Sequence, residues 1–305
     1  MIKRTLFFSN PYHLHSRLEQ LVVDNKETGE TRTVPVEDVG FVVLEHPHIT
    51  FSQGIMRLLL QHNVAVVFCN EKYLPTGMLL NLDGNNLQTA RFRAQLAASE
   101  PLKKNLWMQT IKQKLLNQAA LLEQEGKDGE ALKYKSKQVR SGDPTNEEAK
   151  GAALYWPRLL GTDFRRERFG DAPNALLNYG YAILRAGVAR ALTGSGLHPT
   201  LGIFHRNQYN SYCLADDIME PYRPFVDRLV LDRLEEHGIT NELEKETKAH
   251  LLGVLTMDTK IGDRQRPLML ALSETTASFA ACLEGKAKRL KYGTLVIQDA
   301  ETSSA

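Results

Sequence analysis

The spacing of apolar residues changes period once along this chain, at Asn81-Leu-Asp-Gly-Asn-Asn86, and this change constrains the fold more than any other feature. Before it, apolar residues come in short runs or alternate. Val39 to Leu44 and Val64 to Cys69 are continuous runs of the kind found in strands buried on both faces. Ser16 to Val23 alternates, Asp24 to Glu30 holds turn residues, and Thr31 to Val36 follows, which reads as strand, turn, strand. Phe51 to Gln61 is a short helix carrying Ile55, Leu58, Leu59 and Leu60. After the switch, helical periodicity runs from Leu87 almost to the end. The class expected is therefore α+β. A small N-terminal β-rich domain (1–80) is followed by a linker (81–86), a larger all-α C-terminal domain (87–298) and a disordered tail (299–305). The 305 residues are enough for two such cores.

Within the helical part, Leu87 to Ser99 and Pro101 to Glu125 read as two helices separated at Pro101. The second has a stripe of Leu102, Leu106, Ile111, Leu115 and Leu122, with Lys103, Lys104, Lys112 and Lys114 elsewhere. These lysines, and those of the polar stretch from Gly126 to Asp143, read as a solvated face. Asp171 to Thr193 is the strongest helix, and its Gly180 and Gly187 would let a second helix approach closely. Further helices are expected over Arg223 to Glu236, Asn241 to Thr256 and Pro267 to Lys291.

Composition excludes several classes. Net charge is only +2, so a nucleic-acid surface would be a local patch and not a global field. Cys69, Cys213 and Cys282 are far apart, which argues against a disulfide framework or structural zinc and fits a reducing cytoplasm. No window approaches the ~20 apolar residues of a membrane helix. The first ten residues have neither the apolar segment nor the cleavage site of a signal peptide. His46 and His48, split by Pro47, read as a turn between strands.

Chemistry concentrates in His205 to Pro224, where one imidazole, three carboxylates and two arginines lie within twenty residues. Asn210 to Met219 is apolar at helical spacing. Asp217 and Glu220, or Asp216 and Glu220, therefore share a face and repel each other. Pro221 stops or kinks the helix there, near the negative end of its dipole. Such crowding is tolerated if a cation or basic partner neutralises it, and removing one carboxylate is expected to relieve repulsion. Glu148 opens another helix and has two readings. It is either a metal ligand or the far member of a capping box with Thr145. Arg158, Arg165, Arg166 and Arg168 are interleaved with Phe164 and Phe169, as on a phosphate-binding surface, although a salt-bridged loop would look the same. H-E-x-x-H, Walker, Rossmann and nucleophile-elbow motifs are absent. The residues alone point to a hydrolase using a hard divalent ion held by Glu148, His205 and Glu220, with Asp217 or Asp216 nearby.

Three blocks in this order, Glu148-Ala-Lys-Gly-Ala-Ala-Leu-Tyr-Trp156, Leu201-Gly-Ile-Phe-His205 and Leu214-Ala-Asp-Asp-Ile-Met-Glu-Pro-Tyr-Arg-Pro224, resemble the CRISPR-associated spacer-acquisition integrases, the Cas-one endonuclease family. The Glu-Pro-Tyr-Arg-Pro form resembles the type II versions. The resemblance implies a metal-dependent DNA integrase and endonuclease of antiviral CRISPR adaptation. In such an enzyme the 3′-hydroxyl of a captured DNA fragment attacks a phosphodiester of the repeat array. It further implies Mg2+ or Mn2+ held by Glu148, His205 and Glu220, with Asp217 as accessory acid, and DNA contacts from Arg158, Arg165, Arg166, Arg168, Arg206 and Arg223. The implied partners are double-stranded DNA, a second copy joined through the β-rich domain, and a small second adaptation protein, Cas-two. A non-catalytic DNA-binding scaffold and a phosphoesterase for small substrates are the alternatives.

Overall fold

In the computed structural model, which describes residues 3–81 and 83–296, the two apolar periods become two sheets and a helical body. The first sheet has the order β1 (Arg4–Phe8), β5 (Val39–Leu44), β7 (Ala65–Cys69), β8 (Pro75–Leu79). Its first three strands are parallel and β8 is antiparallel. The second has the order β4 (Thr31–Pro35), β3 (Gln20–Asn25), β2 (Tyr12–Arg17), with the two-residue β6 (Thr50–Phe51) parallel to β2. Alternation along the parallel strands divides two cores. Val42, Leu44 and Val66 pack with α1 (Gln53–Gln61) and with Leu14 and Leu21 of the second sheet. Phe41, Val43, Ala65 and Val67 point the other way, into the core of the helical body. Being covered on both faces is why β5 is an unbroken apolar run.

The structure departs from sequence expectation inside Ser16 to Val23. A hairpin turn falls at Leu18 and Glu19, whose φ angles of 51° and 57° are those of a two-residue type I′ turn. Neither residue is the Asn, Asp or Gly that usually marks this turn, and the alternation hid it; Leu18 is 85% exposed. The turn expected over Asp24 to Glu30 is present and joins β3 to β4, with Asn25 Oδ1 accepting from the Glu27 and Thr28 amides.

The helical body comprises α2 (Gln88–Ala97), α3 (Glu100–Gln124), α4 (Glu130–Gln138), α5 (Glu147–Leu160), α6 (Asn174–Gly194), α7 (Cys213–Met219), α8 (Arg223–His237), α9 (Lys245–Leu252) and α10 (Leu268–Leu283). Ser99 caps α3 by accepting from the Leu102 amide, and Pro101 sits in the first turn, where its missing N–H has no helical partner to lose. A small antiparallel sheet of β9 (Asp258–Ile261), β10 (Arg264–Pro267) and β11 (Thr294–Leu295) also lies in this half. The helix expected to reach Lys291 ends at Leu283, and the chain reverses at Gly285, φ 72°, to supply β11. The tail expected from residue 299 lies outside the described residues.

Helix α6 is the axis of the body. It packs against α7, α8, α9, α10 and the β7–β8 hairpin, and most of its side chains are buried. A Cβ on Gly180 would stand 2.3 Å from Val226 Cγ1 of α8, and one on Gly187 would stand 2.6 Å from Leu255 Cδ2. The halves are also joined by polar contacts. The buried Lys248 ammonium lies 2.7 Å from Glu45, and Arg190 Nε donates to the Asn63 carbonyl at 2.8 Å. Gly180→Ala should therefore destabilise the chain by about 1–3 kcal/mol, because branched Val226 has no room to retreat, outweighing a helix-propensity gain of about 1 kcal/mol. Urea denaturation followed by circular dichroism checks this, and an unchanged or raised midpoint would contradict it.

Candidate metal centre

Each acid of the 216–220 run is met by its own basic partner, which resolves the repulsion between them. Asp216 accepts from Arg185 Nε at 2.6 Å and Asn210 Nδ2 at 2.7 Å. Asp217 is wholly buried and receives four donors. Its Oδ2 accepts from the amides of Ile203 (2.7 Å) and Phe204 (3.0 Å), and its Oδ1 from the amide (3.1 Å) and Nδ1 (2.6 Å) of His205. Gly202 makes this wrap possible, since a Cβ there would fall 2.4 Å from the His205 carbonyl oxygen and 3.0 Å from Asp217 Oδ2. Burial pushes the Asp217 carboxyl up against its hydrogen bonds, and the hydrogen bond to Asp217 raises the His205 imidazole against its own partial burial. Three backbone amides already donate to the Asp217 carboxylate, so the ring is assigned as the donor in the fourth contact, through Nδ1–H. Nε2 of His205 has no protein partner among the described residues.

Helix α7 ends at Met219 and tightens into a 3-10 turn, Glu220–Tyr222, before α8 begins. Pro221 is thus where the helix stops, while Glu220 keeps helical angles (φ −51°, ψ −45°) and projects inward. Asn117 of α3 secures the turn, donating to the carbonyls of Pro221 (2.6 Å) and Gly293 (3.1 Å). Glu220 Oε1 lies 2.8 Å from Arg223, whose guanidinium also sits 4.7 Å from the centroid of the Tyr181 ring.

Glu148 is not spent on its own helix start. Asn146, in the left-handed region at φ 53°, caps α5 by accepting from the Ala149 amide, while Asp143 takes the amides of Glu147 and Glu148. With the cap supplied by Asn146 and Asp143, the capping-box reading is set aside. Glu148 Oε1 accepts from Lys114 Nζ at 2.6 Å, and the same ammonium lies 2.6 Å from Glu220 Oε2. The second contact is an ion pair without hydrogen-bond alignment, so Glu220 Oε2 is buried with no directed donor. Lys114 was expected on a solvated face. It is in fact buried, and its side chain is 10% exposed. Burial, which would lower its ammonium, is outweighed by Glu220 and Glu148; burial of Glu220 is likewise outweighed by Arg223 and Lys114, which hold that carboxyl low.

Sequence reasoning missed α3 as the platform of the site. Trp107, Thr110, Lys114 and Asn117 follow each other at three- and four-residue intervals, one stripe beside the leucines. Trp107 stacks on Phe204 with centroids 4.0 Å apart and planes 3° from parallel, and meets the His205 ring edge-on. The signal available was a polar stripe in register with an apolar one.

The arginines divide. Arg166 donates to Asn174, Asn178 and the Glu167 carbonyl, and Arg165 to the Thr162 and Phe164 carbonyls, so both partly stiffen their own loop. Arg168 lies over the Phe169 ring. Arg158 is near Asp128, and Arg206 pairs with Glu100 at 2.7 Å. Arg165 and Arg168 are exposed and, among the described residues, have no carboxylate partner. Arg223 serves Glu220.

Among the described residues, no three His, Cys, Asp or Glu side chains are gathered tightly enough to hold an ion as they stand. The donor types nevertheless suit a hard divalent cation, because two carboxylate oxygens already share one cationic group and the charge of Glu220 reaches the His205 imidazole.

Behind Arg223, the buried Asp227 carboxylate accepts from Tyr155 (2.7 Å) and Tyr181 (2.5 Å). Burial pushes it up to about 6 against these hydrogen bonds, from an ordinary 3.8. Between these values the unfolded chain gives up the proton and the folded chain keeps it, so this group favours folding at low pH and loses that contribution as pH rises. Relative to Asp227→Asn, the native chain should lose about 2 kcal/mol between pH 4 and pH 6.5. Urea titrations at each pH check this, and parallel stability profiles would contradict it.

A family model for "CRISPR associated protein Cas1" matches residues 6–260. The chain is 37% identical over 294 residues to a CRISPR-associated endonuclease Cas1 of Neisseria meningitidis serogroup C, covering 95% of this chain and 96% of that one. Among solved structures, a casposase bound to integration product superposes with a TM-score of 0.78 at 19% identity, covering 95% of this chain and 92% of that one. A chain of a Cas6-RT-Cas1–Cas2 complex superposes with a TM-score of 0.71 at 19% identity, covering 94% of this chain and 35% of that one. The similarity runs through both the β-rich start and the helical body that carries the acids, and the chain belongs to the CRISPR associated protein Cas1 family.

Proposed function

We propose that this chain is a divalent-metal-dependent DNA endonuclease and integrase of CRISPR adaptation, of the type II form. The observation that carries the reading is that Glu148 and Glu220, from separate elements, meet on one cation, with Glu220 three residues beyond the Asp217 that holds His205. When bound, Mg2+ or Mn2+ polarises the scissile phosphodiester and stabilises charge on the attacking and leaving oxygens. Glu148 Oε1, Glu220 Oε2 and His205 Nε2 are the donors we assign to it. Asp217 fixes the ring so that Nε2 carries the lone pair, and its own oxygens are filled by four donors; it positions His205 and does not ligate. Asp216, held by Arg185 and Asn210, is likewise outside the set.

In the reaction proposed, a 3′-hydroxyl of captured DNA forms a bond to phosphorus in the repeat strand. The bond to that strand's own 3′-oxygen breaks, and the proton released by the attacking hydroxyl ends on the leaving oxygen. With water as nucleophile, the same centre cuts DNA. We assign phosphate contacts first to Arg165 and Arg168, and then to Arg158 and Arg206, whose surface ion pairs are weak enough to exchange for phosphate. Arg166 and Arg223 support the site from within. The proposed organisation is a β-rich dimerisation region (1–80), a linker (81–86) and a catalytic region (87–298). The proposed partners are a second copy and Cas2, the latter supported by the likeness to a Cas1–Cas2 assembly. Three cysteines free of disulfides suit action in the cytoplasm, and no described helix is long and apolar enough to cross a membrane.

The test is strand transfer of a DNA fragment into a repeat-containing duplex with Mn2+. Glu148→Gln, His205→Ala and Glu220→Gln should each lower it by about a hundredfold or more while salt-sensitive DNA binding persists. Glutamine is the informative change at 220. Contrary to the repulsion argument from sequence, Glu220→Ala would leave the buried Arg223 without its carboxylate and Lys114 with Glu148 alone, and would destabilise the metal-free chain. Undiminished transfer in all three variants would favour a non-catalytic scaffold, and faster turnover of a nucleotide phosphate than of DNA would favour a small-molecule phosphoesterase.

A further inference from the structure

We infer that Lys114 is the internal counter-ion of this centre. Its ammonium holds Glu148 and Glu220 together in the metal-free protein and must leave them when a divalent cation enters, so metal affinity is set by competition with the chain's own lysine. The inference rests on the proposed assignment of Glu148 and Glu220 as ligands, and adds a residue outside the acid–His–acid set.

Charge balance is the first argument. Glu148 and Glu220 are opposed by Lys114 and Arg223, while Asp216 is balanced by Arg185 and Asp217 is joined to His205. The centre is thus near neutrality without metal. A divalent ion added while both cations remained would leave an excess of positive charge in a place with little water, since the Glu220 and Lys114 side chains are 4% and 10% exposed.

Mobility is the second. Arg223 lies 2.8 Å from Glu220 Oε1 in an ion pair that likewise lacks hydrogen-bond alignment, but its guanidinium is also packed over the Tyr181 ring at 4.7 Å, and Tyr181 is in turn bonded to Asp227. Lys114 has one aligned hydrogen bond, to Glu148, and touches Glu220 Oε2 only as a point charge. Its four-carbon stem can swing, whereas the stacked guanidinium cannot. Of the two cations, Lys114 is the one that yields, and it stands between the same two oxygens assigned to the metal.

Mn2+ binding to the full-length protein, read as loss of the free-ion electron paramagnetic resonance signal, tests this without reference to activity. Lys114→Met should tighten Mn2+ binding by about tenfold, because the competitor is gone. Without metal, its melting temperature should fall, and saturating Mn2+ should raise it more than in the native chain. Lys114→Gln, which keeps a donor without the charge, should shift the same way and serves if the methionine variant does not fold. Mn2+ affinity equal to or weaker than native in the folded variants would overturn the inference. Glu148→Gln separates the two levels. If it binds Mn2+ as tightly as native, the metal assignment itself fails; if it loses Mn2+ while the lysine variants match native affinity, only the role of Lys114 fails.

Discussion

A single ammonium, that of Lys114, lies between two carboxylates that would otherwise repel each other inside the protein, and the geometry of the centre depends on that arrangement. Glu148 comes from the first turn of α5, and Glu220 from the turn between α7 and α8. Buried like charges are sustained only when a cation is shared or each has its own partner. The chain uses both solutions. Arg185 and His205 attend Asp216 and Asp217 singly, Arg223 attends Glu220 from behind, and Lys114 joins Glu220 to Glu148.

Helix α3 acts as the ruler for this assembly. Along one stripe it offers Trp107 under the Phe204–His205 loop, Lys114 between the glutamates and Asn117 beneath the turn of Glu220. Each of the three segments that supply the proposed donors therefore touches the same rigid element. Positioning catalytic groups from a packed helix limits their freedom more than loop-borne placement would. The segment holding His205 is the least regular of the three, and it is the one whose backbone amides are gathered on a buried carboxylate, that of Asp217.

Much of this was legible from residue order, and what was not has identifiable causes. The double-faced burial of β5, the close approach at Gly180 and Gly187, and the stop at Pro221 follow from local pattern, since each depends on size or period. The turn at Leu18 and Glu19 was hidden because neither residue has the type that favours positive φ, so tertiary pairing of β2 with β3 imposed it. Strands β9 to β11 are four, four and two residues long, too short for a period to emerge, and β9 and β11 pair across 32 residues of intervening chain. Lys114 was hidden for a different reason. A lysine on an amphipathic helix reads as solvent-facing unless its acids are known to arrive from elsewhere, and those acids lie 34 and 106 positions away. Similarly, Thr145 and Glu148 had capping-box spacing, but Asp143 and Asn146 occupied that role and left the glutamate free.

The most direct measurement is anomalous diffraction from crystals of the full-length protein soaked in Mn2+. The account predicts one strong peak between the Glu148 and Glu220 carboxylates, with His205 Nε2 as a ligand and Lys114 Nζ displaced from its present contacts. Strong peaks elsewhere with these side chains unmoved, or Asp217 turned from His205 to ligate the ion in place of Glu220, would contradict it.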